Sequence, residues 1–431
     1  MDLSAPLSAQ SGGLAAGVGG DSAGGGQVTP DGWEVAFLDD CVLPNAPICY
    51  GILMPGPHCA GGVPVVKVRD IFDGRIDESD LLFTHPSIDG AYKRSRLAAG
   101  DLLITIRGTT GRIALTPPAL AGANITQDTA RIRVKGGTSS EFVYFALQSE
   151  QAQQQIALHT IGQAVKGINI RDVRRLTLPI PEKEDEQHAI ARALSDVDAL
   201  LAGLDRLVAK KRDLKQAAMQ QLLTGQMRLP GFREAWADRI LGECLYGAPD
   251  YGINAAAAEW SDRLPTYLRI TDISEDGRFR PAPRVAVRSA IATRYLLGEG
   301  DIVFARTGAS VGKSYRYRAE DGPLVFAGFL IRVRPRPDLL HAAYLAEWVT
   351  TKPYWDWVAQ MSMRSGQPGI SGAQYARMPI RIPSLNEQAA IVDVLSDMDG
   401  ERAALEVQRQ KTQALKQAMM QELLTGRIRL I

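Results

Sequence analysis

The chain has 431 residues, enough for two or three domains, with 45% apolar and 23% charged side chains. No apolar run approaches the roughly 18 residues of a membrane helix, and the first basic residue is Lys67, so the opening stretch lacks the charged region of a secretory signal. A net charge of +1 argues against a uniformly basic nucleic-acid coat, and four cysteines without close pairing fit a reducing cytoplasm.

Residues 1–30 are rich in Gly, Ala and Ser and are predicted to be a disordered tail. Residues 31–181 form a first globular unit with 15 basic and 15 acidic side chains. Within it Val63–Val68, Asp101–Ile106 and Ala130–Val134 read as strands, and Phe142–Leu158 reads as one helix. The unit is α+β with a β-rich core. Tyr92-Lys93-Arg94-Ser95-Arg96 interleaves an aromatic with bases just before the turn Gly100-Asp101. The strand after that turn ends at Arg107-Gly108, and Arg112 closes the glycine loop. Gln163 and Lys166 follow in a polar loop. Arg and Lys supply phosphate and base contacts in such patterns, so Lys93, Arg94, Arg96, Arg107, Arg112, Gln163 and Lys166 are DNA-facing candidates. The bland alternative is a set of solvated loops.

Residues 182–229 read as one long helix. Ile190, Leu194, Val197, Leu201, Leu204 and Val208 step by four and three, which is a coiled-coil seam. The seam is expected to resume at Leu214, Ala218 and Leu222, and Gly225 falls where a C′ glycine would end the helix. About 40 residues at ~1.5 Å each make a rod of about 60 Å.

Leu229-Pro230-Gly231-Phe232 turns the chain into a second globular unit, residues 230–383, with 20 basic and 16 acidic side chains. It repeats the first unit loosely. Trp236, Leu241 and Cys244 answer Trp33, Leu38 and Cys41, and Gly300-Asp301 answers Gly100-Asp101. Arg294 and Tyr295 precede that turn, Arg306 follows it, and Leu339–Trp357 is predicted to be helical. Gly308–Ser314 resembles a phosphate-binding loop, but it is one residue short, and Tyr315-Arg316-Tyr317-Arg318 alternates like a strand where such a loop needs a helix. Arg306, Lys313 and Arg316, with Arg364 and Gln367 further on, are read instead as DNA-facing candidates.

Residues 384–431 repeat the long helix without a gap. Glu186-Gln187 answers Glu387-Gln388, and Leu222-Leu223-Thr224-Gly225 answers Leu423-Leu424-Thr425-Gly426, every pair 201 residues apart. Leu395, Met398 and Leu405 hold the seam, Arg402 and Arg409 interrupt it, and Leu415, Met419 and Leu423 are expected to resume it. Ser384 to Glu387 reads as a capping box. The repeat argues that the two helices pack on each other, antiparallel. Glu186, Gln187, Glu387 and Gln388 then mark matching helix starts, either as dipole-favourable acids or as docking points for a partner that meets both ends alike.

Cys41, Cys49, His58 and Cys59 are too widely spaced for a zinc knuckle, and no metal, hydrolase or dinucleotide motif is found.

The layout resembles the specificity subunit of type I restriction–modification systems, through the twin helices bounded by Glu-Gln and Leu-Leu-Thr-Gly and the paired Gly-Asp turns with Arg-Gly or Arg-Thr-Gly loops. The resemblance covers about residues 30–431. It implies two target recognition domains, 31–181 and 230–383, separated by an antiparallel pair of spacer helices with an internal pseudo-two-fold repeat. It further implies a non-catalytic, cytoplasmic reader of a bipartite site in double-stranded DNA. Two methyltransferase subunits and restriction subunits would be partners, and S-adenosylmethionine, ATP and Mg would be bound by those partners. The alternatives are a coiled-coil adaptor without DNA, and a nucleotide-binding enzyme built on Gly308–Ser314.

Overall fold

The computed structural model describes residues 30–163, 165–363 and 368–430, and the predicted tail lies almost wholly outside them. The chain divides into two compact units: residues 1–198 with 414–431, and residues 199–413.

In the first unit a four-stranded antiparallel sheet runs in the order Cys49–Tyr50, Thr129–Ile132, Leu102–Thr105, Ile113–Leu115. The central strands alternate between two cores. Leu102 and Ile104 pack toward Phe142 and Ile156, whereas Leu103 and Ala114 face Val66 and Ile125. A second sheet carries a parallel pair, Val63–Val66 with Asn124–Ile125. Trp33–Phe37 pairs with Thr177–Pro181, closing the unit just before the first long helix, Glu184–Leu222.

The second unit rebuilds this plan. Its sheet runs Asp250–Tyr251, Leu330–Val333, Ile302–Ala305, Ser314–Arg316. The parallel pair recurs as Thr266–Leu268 with Leu324–Phe326, and Ala237–Ile240 with Pro379–Ile382 precedes the second long helix, Leu385–Leu423. The strand Ser314–Arg316 sits where a phosphate-binding loop would need a helix, so the Gly308–Ser314 loop is a hairpin connection.

Both predicted shorter helices are broken. Phe142–Leu158 is two helices, Ser140–Gln148 and Glu150–His159, because the Ser149 hydroxyl accepts from the Ala152 amide and caps a new start. Leu339–Trp357 breaks likewise into Ala342–Trp348 and Lys352–Ser362, with Pro353 in the first turn of the second piece.

The long helices pair antiparallel within each unit. In the second unit partner numbers fall as the first helix's rise: Asp205 pairs with Arg409, Lys211 with Glu401 and Lys215 with Asp399. In the first unit Lys416 pairs with Asp198 at 2.6 Å. That contact is the Lys215–Asp399 contact with the two helices exchanged, as a duplicated antiparallel pair requires. Leu194, Leu201, Leu204, Leu222, Leu395 and Leu423 are buried, and Val197, Met398 and Leu405 are half-buried. Leu214 and Leu415 are not part of the seam. Both are about half exposed, and the neighbouring Lys215 and Lys416 turn inward to the carboxylates instead.

The helix starts are locked from inside. Arg429 engages both carboxylate oxygens of buried Glu186, and Arg228 engages those of buried Glu387 at 2.6 Å each. Glu387 is thus committed to Arg228, not held as the acid of a capping box. Gln187 accepts from the Ser139 amide and donates to the Pro181 carbonyl, and Gln388 does the same with His341 and Pro383. These four side chains are buried within the chain, which removes the docking role for them. Gly426 (φ +70°) lies against Trp33, and Gly225 (φ +71°) lies against Trp236, so each Leu-Leu-Thr-Gly end seats on the tryptophan that opens a unit.

Candidate nucleic-acid interface

In the first unit the Arg107-Gly108 loop is stitched to the polar loop after the Glu150–His159 helix. The Gly108 amide donates to the Lys166 carbonyl at 2.8 Å, and the Ile168 amide donates to Ile106 at 2.9 Å. This brings Arg107, Gln163 and Lys166 to one rim, all three exposed. Beside them opens a hollow of about 740 Å³ lined by Tyr50, Leu53, Arg107, Gln127, Ile161 and Val165. Tyr92 lines it too, and Lys93 and Arg94, next in the chain, are both exposed.

In the second unit the same stitch recurs. The Gly308 amide donates to Pro368, and Ile370 donates to Arg306. Arg306 lies 4.9 Å over the ring of Tyr251, a cation–π contact. Arg294 is exposed. Arg364 and Gln367 lie outside the described residues.

Five candidates have other employment. Arg96 donates from Nε to the buried Asp89 at 2.8 Å. Asp89 in turn accepts from Asn124, whose Oδ1 takes the Ser95 hydroxyl, so Arg96 covers an internal polar network. Burial pushes the Asp89 carboxyl up, but the Arg96 and Asn124 hydrogen bonds outweigh it and hold it below the usual value. Arg112 caps the Ile71 carbonyl at 2.8 Å. Tyr295 packs edge-on to Phe326 in the core. Lys313 is paired with Glu275. Arg316 lines a separate hollow of about 490 Å³ with Arg278, Arg318 and Asp399. Arg96, Arg112 and Tyr295 thus each have a partner inside the fold, Lys313 is held in an ion pair, and Arg316 lines a hollow of its own.

Cys41 and Cys49 are buried, their thiols directed at the Phe37 and Arg94 carbonyls, and desolvation pushes the Cys41 thiol up to about 11. Among the described residues no cluster of His, Cys, Asp and Glu has metal-site geometry, and no helix is long and apolar enough to cross a membrane.

The sequence reading missed Tyr50, Leu53, Gln127, Ile161 and Val165. A signal was present: Tyr50-Gly51-Ile52 recurs as Tyr251-Gly252-Ile253 at the same offset of 201. The glycine is fixed by close approach, since a Cβ at Gly51 would meet the Ile125 carbonyl at 1.9 Å, and one at Gly252 the Ala327 carbonyl at 2.2 Å. The tyrosine one residue earlier is thereby held at the surface, about half exposed in each unit.

Two copies of one β-rich unit, each leading into a long helix and each presenting an Arg–Tyr rim, define a duplicated recognition scaffold. The chain belongs to the Methylase_S family, the type I restriction modification DNA specificity domain, which matches residues 58–208 and 292–417. It is similar to the type I restriction enzyme EcoBI specificity subunit of Escherichia coli, 29% identical over 219 residues, covering 50% of this chain and 46% of that subunit. The aligned part is thus about half of that relative. The fold is similar to a chain from a structure on complex assembly and conformational transition of the type I R-M system (TM-score 0.59, 20% identity, 94% of this chain and all of that one). It is also similar to the type I restriction-modification S subunit from M. genitalium (TM-score 0.54, 15% identity, 93% and 98% covered).

Proposed function

We propose that the chain is the DNA-reading subunit of a type I restriction–modification complex, with residues 31–181 and 230–383 as target recognition domains and 182–229 and 384–431 as spacer segments. Each domain reads one half of an asymmetric bipartite site in double-stranded DNA. The helices set the separation of the halves and dock two methyltransferase subunits, and restriction subunits join the same cytoplasmic complex. Methylation and cleavage, with S-adenosylmethionine, ATP and Mg, belong to those partners, and this chain is non-catalytic.

The observation that carries this reading is the pairing of a common rim with unlike neighbours. Tyr50 and Tyr251 occupy equivalent strands, and each stitched loop carries one arginine at adjacent positions, Arg107 in the first unit and Arg306, which stands where the first unit has Ile106, in the second. Around them Leu53 and Met54 correspond to Asn254 and Ala255, and Gln127-Asp128 corresponds to Gly328-Phe329. An arginine in each loop suits phosphate or guanine, and divergent neighbours suit different base edges. The near-neutral net charge leaves much of the phosphate grip to partner subunits. A coiled-coil adaptor has no use for two diverging rims on matched scaffolds.

The test is selection from a random duplex pool by the full chain co-expressed with its methyltransferase subunits. Enrichment of two unlike half-sites at fixed spacing, about one helical turn between centres, is the expected result. Recovery of unenriched sequence overturns the reading. Arg107→Ala is expected to relax one half-site and Arg306→Ala the other, each at a cost of about 1–3 kcal/mol for its own half.

A further inference from the structure

The geometry points to a thymine-reading wall in the first unit: Leu53, Ile161 and Val165 take the 5-methyl group of a thymine next to the base or phosphate held by Arg107. This rests on the DNA-reading role proposed above and names the chemistry that one half of the site must contain.

Leu53, Ile161 and Val165 are 55%, 67% and 61% exposed, yet they line one hollow with Tyr50 and Arg107. Three aliphatic side chains gathered this way gain nothing from burial until an occupant covers them. The rim names the occupant. Arg107 lines the hollow and is ion-paired with Asp128 at 3.9 Å, Lys166 is exposed next in sequence to the lining Val165, and Lys93 and Arg94 are exposed next to the lining Tyr92. An apolar wall inside a cationic rim fits a polyanion that carries an apolar group inward. Duplex DNA offers one methyl group on its major-groove base edges, that of thymine, the groups beside it that tell the pairs apart being hydrogen-bond donors and acceptors.

The fold itself does not require the wall. The second unit builds the same sheet with exposed Asn254 at the position of Leu53. Leu53 is therefore free to be chosen for what it touches outside the chain, and the sister unit reads its own half without an aliphatic side chain at that point.

The experiment uses the full chain in complex with its methyltransferase subunits and the duplex selected above. The half-site belonging to the first unit is the one relaxed by Arg107→Ala. Each of its thymines, on either strand, is replaced singly by deoxyuridine, which removes the methyl and keeps the pairing. At least one replacement is expected to weaken wild-type binding about four-fold, the ratio one buried methyl-sized group supports. In Leu53→Asn, an exposed change that the sister unit already carries, the same replacement is expected to have less than a two-fold effect. A half-site without thymine, wild-type binding indifferent to deoxyuridine, or equal sensitivity in wild type and variant overturns the wall while leaving the DNA-reading role intact. Failure to enrich any sequence defeats that role instead, so the two failures are distinguishable.

Discussion

Glu387 is the most constrained charge at the base of the second helix: its side chain is 1% exposed, and both oxygens are met by Arg228. A buried carboxylate stripped of its partner costs far more than the pair contributes, because the charge stays desolvated. Arg228→Met is therefore expected to destabilise the chain in urea unfolding followed by tryptophan fluorescence. Adding Glu387→Met should restore most of the loss, and a double variant as weak as the single one would mean that packing, not charge, was lost. Asp89 makes a complementary case by pH. Its carboxyl is held below the usual range, so it contributes stability that is full above the ordinary value near 4 and is lost as pH falls through the lower folded value. Asp89→Asn is expected to be less stable than wild type at pH 7, and the gap should close below about pH 4. Urea midpoints measured from pH 7 downward check this, and a gap that does not narrow as pH falls below the ordinary carboxyl value would assign the effect to shape.

At the scale of elements, periodicity exposed the helices and their pairing but not every contact. The four-three spacing from Ile190 to Leu204 was legible because those side chains are buried or half-buried, Ile190 and Leu194 in the core of the first unit. The same rule carried on to Leu214 and Leu415 failed, because Lys215 and Lys416 reach carboxylates on the facing helix and turn the leucines outward. Ion pairs across a seam leave no period to read. The helix break at Ser149 was missed for a related reason: a capping hydroxyl in an otherwise helical run is a local event that the longer apolar pattern hides, and the break before Lys352 is marked only by Pro353 in the new first turn. The candidate site was legible only where the repeat marked it. Arg107 and Arg306 were found by duplication, whereas Arg96 and Arg112 carried the same composition and turned out to hold Asp89 and the Ile71 carbonyl. Charge in a loop does not reveal whether a buried acceptor is waiting for it. The seam gives a direct check. Leu204→Ala is expected to cost about 2–5 kcal/mol and Leu214→Ala less than about 0.5 kcal/mol in the same unfolding assay. Equal costs would restore Leu214 to the interface.

For the molecule as a whole, the first long helix begins in one compact unit and ends in the other, and the second does the same in the opposite sense. Under the proposed function the helical pair is then what decides how many base pairs separate the two half-sites. A seven-residue insertion after Val208 and another after Arg409, positions 201 apart, would keep the four-three seam in register and lengthen both rods by about 10 Å. At ~3.4 Å per base pair, the selected spacer is expected to widen by about three base pairs. Because Arg107, Arg306 and their neighbours are untouched, the half-site sequences should stay as in wild type. Rotation of the DNA over those extra pairs opposes the change, so weaker binding at the new spacing is compatible with it. Repeating the random-pool selection with the lengthened chain decides the matter. New half-site sequences at the old spacing would show that the rods act on the reading surfaces themselves, and that the separation is set by something other than their length.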